Sequence, residues 1–124
     1  MCEIRKLPDG ELAVMQAVWG LEGPATRPEL EAALASSHPM AATTLLTLLS
    51  RLVEKGFLSQ EKAGRGSRWT PLVNREDYLA AQGSRFYRSL CGGDLSRFAN
   101  ALCHSGLTRE ELSQLRKMLE EVEE

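Results

Sequence analysis

Cys103 and His104 set a thiol directly beside an imidazole, the one pairing in this 124-residue sequence that invites a covalent mechanism. A thiolate nucleophile needs a base within hydrogen-bond reach and a third group to orient that base. Side chains at adjacent helical positions diverge, so this pair does not converge. A cysteine on an apolar helical stripe is by default a small buried side chain. The other histidine, His38, stands alone beside Pro39. Cys2, Cys91 and Cys103 form neither a CxxC pair nor an even disulfide framework, and reduced thiols are expected. No catalytic residue, no metal ligand set and no cofactor is predicted.

The chemistry that remains is recognition. Residues 43–57 read TTLLTLLSRLVEKGF. At about 100° per residue, Thr43, Thr44, Thr47, Ser50, Arg51, Glu54 and Lys55 fall in one arc, and Leu45, Leu46, Leu48, Leu49, Leu52 and Val53 fill the other. The apolar arc predicts a core contact. The polar arc is odd, because β-branched threonine is a poor choice for a helix that only has to be soluble. The net charge of −2 argues weakly against a polyanionic partner, but its distribution matters more. Within 51–68, Arg51, Lys55, Lys62, Arg65 and Arg68 face only Glu54 and Glu61, a local excess of +3. Affinity for DNA on this basis would be moderate and sensitive to salt.

The elements that must position these residues are legible in order. The length suits one or two small domains. No apolar run approaches the roughly 20 residues of a membrane span, and the N-terminus lacks the apolar core of a secretory signal. A cytoplasmic location is expected. Asp9 is predicted to cap a first helix running to about Trp19, with Gly20, Gly23 and Pro24 breaking the chain after it. Thr26-Arg27-Pro28-Glu29 has the form of a capping box with proline in the first turn. The third helix should stop at Gly56 as a left-handed cap, followed by Phe57. Phe57–Lys62 and Ser67–Leu72 read as strands joined by Ala63-Gly64-Arg65-Gly66, with Trp69 placed by alternation in the packing of the hairpin. Three helices and then a basic hairpin are the plan of a winged helix-turn-helix.

From Arg75 the pattern is helical again, to about Leu90. Leu95, Phe98, Ala99, Leu102 and Cys103 form a stripe. Thr108–Glu111 is a second capping box, and Leu112, Leu115, Leu119 and Val122 continue at 3-4-3 spacing. About fifty residues cannot hide these stripes alone, so a symmetric partner is expected to cover them. The predicted fold is mainly α with a small β-hairpin. It comprises a winged helix-turn-helix domain over 1–74 and a three-helix dimerisation domain over 75–124, with Phe86, Leu90, Leu95, Phe98, Leu102, Leu112, Leu115 and Leu119 at the dimer contact.

The segments GELAVMQAVW, TLLTLLSRLVEKGFL, WTPLV, FYRSLCGGDLSRF and LTREELSQLRKML together resemble the penicillinase-repressor family, the BlaI/MecI/CopY-type regulators. The resemblance covers nearly the whole chain. It implies a dimeric repressor whose winged helix reads palindromic double-stranded operator DNA. By position it implies that Thr43, Thr44, Thr47 and Arg51 face the major groove. There a threonine offers a hydroxyl to phosphates and base edges and a methyl to thymine. Arg65, Lys62 and Arg68 would contact backbone or minor groove from the wing, and Arg27 a phosphate. Relatives carry basic residues where this chain has Thr43 and Leu46, so its reader helix is less charged. Copper-responsive relatives end in Cys-x-Cys where this sequence has EEVEE, so a metal switch of that kind is not expected. In antibiotic-responsive relatives a sensor-linked protease cuts at the position of Ala101–Leu102, and the residue types here differ from theirs. The alternative is a non-enzymatic adaptor whose polar arc binds protein instead of DNA.

Overall fold

The computed structural model describes residues 4–122; Cys2, Glu123 and Glu124 lie outside the described residues. The order is α1 (Asp9–Gly20), β1 (Ala25–Thr26), α2 (Arg27–Leu34), α3 (Ala42–Glu54), β2 (Leu58–Ala63), β3 (Gly66–Pro71), α4 (Arg75–Arg85), a π-helical turn (Phe86–Leu90), α5 (Leu95–Cys103) and α6 (Arg109–Glu121). The chain divides into two compact units, Met1–Gln82 and Gly83–Glu124.

In the first unit, three helices pack with a three-stranded antiparallel sheet in the order β1-β3-β2. This is a winged helix, mainly α with a small sheet. The core takes Val14, Met15 and Val18 from α1, Leu30 and Leu34 from α2, and Leu45, Leu49 and Leu52 from α3. Phe57, Leu58 and Trp69 close it from the sheet side. Tyr78 of α4 belongs to this core. Its ring lies 5.7 Å from Trp19 and 5.9 Å from Phe57, and its hydroxyl accepts the Leu7 N–H at 3.0 Å.

Two local expectations change. Asp9 is the first residue of α1, not its cap; the cap position is Pro8, in extended conformation, and the Pro8 carbonyl accepts the Leu12 N–H at 2.8 Å. The hairpin loop is tighter than four residues. Ala63 pairs with Gly66, leaving only Gly64 and Arg65 between the strands. Gly64 has φ +61° while Arg65 stays at negative φ, the pattern of a two-residue type II′ turn.

The second unit has little interior. Among the buried hydrophobics of the described residues, Cys91 is its sole member. Phe98 on α5 packs against Phe86 and Tyr87, with ring centroids 5.7 and 5.5 Å apart, and the Tyr87 hydroxyl donates to the Gly93 carbonyl at 3.0 Å. Asp94 caps α5 through the Ser96 and Arg97 N–H groups. Thr108 and Glu111 close the capping box of α6. Cys103 is exposed rather than buried.

Candidate nucleic-acid interface

The polar arc of α3 exists because its opposite face is consumed. Leu45, Leu49 and Leu52 are fully buried, which fixes the helix rotation and turns Thr43, Thr44, Thr47, Ser50, Arg51 and Glu54 outward. The Thr47 hydroxyl donates to the Thr43 carbonyl one turn back, at 3.0 Å. Its proton is therefore committed, and what it presents outward is a lone pair and a methyl.

The C-terminal end of α3 is the better held of the two. At the C-terminus Gly56 adopts φ +83°, its N–H donates to the Val53 carbonyl at 3.1 Å, and the Phe57 N–H reaches the Leu52 carbonyl at 2.9 Å. That pair of bonds, with Leu52 and Phe57 both buried, is a Schellman cap. Lys55 at the same end donates to Glu11 of α1 at 2.5 Å, and the Glu11 side chain is 4% exposed. At the N-terminus the cap position is Ala41, in extended conformation, whose carbonyl accepts the Leu45 N–H at 3.0 Å without a side-chain cap.

The wing presents its cations on separate surfaces. Lys62 pairs across the sheet with Ser67 and shares a face with Gln60 and Trp69. Arg68 lies opposite Glu61 on the reverse face and pairs with it at 3.6 Å. Lys62 and Arg68 therefore do not form one patch. Arg65 stands at the tip of the turn. Among the described residues Arg51, Lys62 and Arg65 have no ion-pair partner, whereas Arg27 is held by Glu31 at 3.1 Å, one turn along α2. A groove of about 580 Å³ opens between the wing, the start of α2 and α3, lined by Arg27, Leu46, Gln60, Arg65 and Trp69 among others. Trp69 itself is 3% exposed and belongs to the packing, although its indole N–H has no hydrogen-bond partner.

Leu46 corrects the reading of α3 as two clean arcs. It is 41% exposed, on the outward side, and lines this groove. The pairing of Glu11 with Lys55 also escaped the sequence, since 44 positions separate them and no local signal joins them. No three His, Cys, Asp or Glu side chains converge among the described residues. His104 turns its ring back on its own helix, Nδ1–H donating to the Asn100 carbonyl at 3.1 Å. No helix of the described residues is long and apolar enough to cross a membrane.

A family model described as penicillinase repressor matches residues 7–121. The chain belongs to the penicillinase repressor family. The penicillinase repressor of Bacillus licheniformis is 32% identical to it over 122 residues, covering 98% of this chain and 94% of that one. The solution structure of the DNA-binding domain of the repressor BlaI superposes with a TM-score of 0.54 at 32% identity, covering 63% of this chain and 94% of the domain. The monomeric form of Bacillus licheniformis BlaI in complex with the blaP half-operator gives 0.52, with the same identity and coverage. These two relatives are repressors, and the first unit of this chain is similar to their DNA-binding domain.

The second unit of this penicillinase repressor family member leaves its predicted contact residues uncovered. Leu90, Leu95 and Leu119 are 76%, 68% and 62% exposed, while Phe86, Phe98, Leu102, Leu112 and Leu115 are only half-buried. The Ala101–Leu102 bond lies inside α5, where a protease could take it only after the helix unwinds.

Proposed function

We propose that this chain is a homodimeric, cytoplasmic repressor that occupies a palindromic operator and performs no catalysis. In this reading α3 enters the major groove of each half-site with Thr43, Thr44, Thr47 and Arg51. Arg65 and Lys62 of the wing neutralise phosphates alongside, and Arg68 and Arg27 would join them only by exchanging Glu61 and Glu31 for a phosphate. The observation that carries the proposal is the set of cations on reader and wing, Arg51, Lys62 and Arg65, that no carboxylate of the described chain compensates. Cations without a carboxylate partner beside a polar helix face can take phosphates without first breaking an ion pair. The half-operator complex of the related BlaI supports the same partner class.

The second unit supports the dimeric part of this reading. Leu90, Leu95 and Leu119 stay in water in the single chain, and apolar surface beside a thin interior is stabilised by a second copy. Two linked reading heads then bind with a gain in effective concentration that a monomer lacks.

Fluorescence anisotropy with a duplex selected from a random pool tests the proposal. A DNA reader gives a linear fall of log affinity with log salt, steep in proportion to the phosphates neutralised. A flat salt series, or no selected duplex at all, refutes it and leaves the protein-binding adaptor.

A further inference from the structure

We infer that Leu46 is a specificity-determining residue, an apolar contact for the 5-methyl group of thymine at one position of each half-site. The inference rests on the operator-binding reading above and adds to it a residue that the two-arc pattern had assigned to the core.

Leu46 is the one apolar side chain on the exposed face of α3; Leu45 and Leu49, its apolar neighbours along the helix, are 0% exposed. A single exposed leucine needs no explanation by itself. The surroundings of this one supply the argument. It lies in the first half of α3, the end from which a reading helix reaches base edges. At i−3 and i+4 its surface neighbours are Thr43 and Ser50. On its other side the groove toward the wing carries Arg27 and Arg65, both suited to phosphate oxygens. An apolar spot bordered by hydroxyls and flanked by cations complements a duplex edge, where phosphates border the bases.

The chemistry then selects the base. In the major groove, thymine alone presents an apolar group; guanine and adenine offer acceptors, and cytosine and adenine an amino donor. Leucine satisfies none of these polar groups, and covering one without a partner is unfavourable. Thr47 does not rescue an acceptor beside it, because its proton is already given to the Thr43 carbonyl. Leu46 therefore favours a thymine and disfavours the other three bases at its position.

The test uses the full chain and the duplex that wild type selects from a random pool. Each thymine is replaced in turn, symmetrically in both half-sites, by deoxyuridine, which removes only the methyl. Affinity is measured for wild type, Leu46→Ala and Leu46→Gln, with tryptophan-monitored melting to verify that each variant is folded. One symmetric replacement should weaken wild type about tenfold, three- to fivefold per half-site for a buried methyl, and leave Leu46→Ala unchanged. Leu46→Gln should lose the preference for thymine at that position in a fresh selection. Equal effects of every replacement on wild type and Leu46→Ala would overturn the inference while steep salt-dependent binding keeps the operator reading intact. A wild type that selects no duplex would overturn both.

Discussion

Replacing Lys55 by methionine should destabilise the first unit more than replacing its partner Glu11 by glutamine, and the asymmetry comes from geometry. The Glu11 side chain is 4% exposed and the Lys55 side chain 23%. Removing one member of a buried ion pair costs about 3–5 kcal/mol, because the other is left charged and dry. Lys55→Met strands Glu11 in that way. Water can enter where the ammonium stood, since that side of the pair is already partly wet, so the cost should fall to about 2–3 kcal/mol. Glu11→Gln strands nothing, because the long lysine side chain can carry its charge outward, and about 1 kcal/mol is expected for the weakened hydrogen bond. The double variant Glu11→Leu/Lys55→Met should recover most of the loss by giving the site an apolar pair. Urea unfolding followed by tryptophan fluorescence reads these differences cleanly, because Trp19 and Trp69, the two tryptophans of the chain, both lie in the first unit. In a domain of this size the lysine variant should melt roughly 10–20 °C lower. Equal costs for the two single variants, or a loss below about 0.5 kcal/mol for Lys55→Met, would mean that the pair behaves as an exposed surface bridge.

Leu119→Asp, at a position 62% exposed in the single chain, should leave the monomer folded yet shift it out of the dimer in analytical ultracentrifugation at micromolar concentration. Arg65→Ala should weaken binding across many duplexes and reduce the salt slope by about one unit, as loss of one phosphate contact requires; an unchanged slope would remove the wing tip from the interface. Thr47→Ala should keep or slightly raise the melting temperature, yet weaken operator binding by about 1 kcal/mol and relax base preference at one position per half-site. Unchanged affinity in both Thr47→Ala and Arg51→Ala would defeat the groove assignment.

The features legible in the sequence were those whose causes are local. The Thr26–Glu29 and Thr108–Glu111 boxes formed as their spacing demands, and Gly56 with Phe57 ended α3 because only a residue at ease at positive φ completes that cap. The features missed were those decided across the chain. The strand Ala25–Thr26 is two residues long and exists only because Trp69 and Arg68 of β3 lie opposite it. Leu46 sits where the apolar arc meets the polar one, and periodicity cannot say which side of such an edge is covered. The same holds for Cys103, whose stripe is real but has no covering surface within the described chain. Lys55 read as one more cation of the polar arc until Glu11 claimed it.

Phe57 donates its N–H to α3 at Leu52, accepts the Leu72 N–H on its carbonyl at 2.8 Å, and buries its ring against Tyr78. One residue thus belongs to the cap of α3, to the edge of the hairpin and to the core, and it ties the base of the hairpin to the end of that helix. If α3 and the hairpin are the two contact surfaces, that tie sets their spacing before any duplex is met. A misfit with a duplex would then fall on the duplex, through bending or a change in groove width whose cost depends on base-step stiffness. Base pairs that no side chain touches would then contribute to the choice of operator, through how readily they yield.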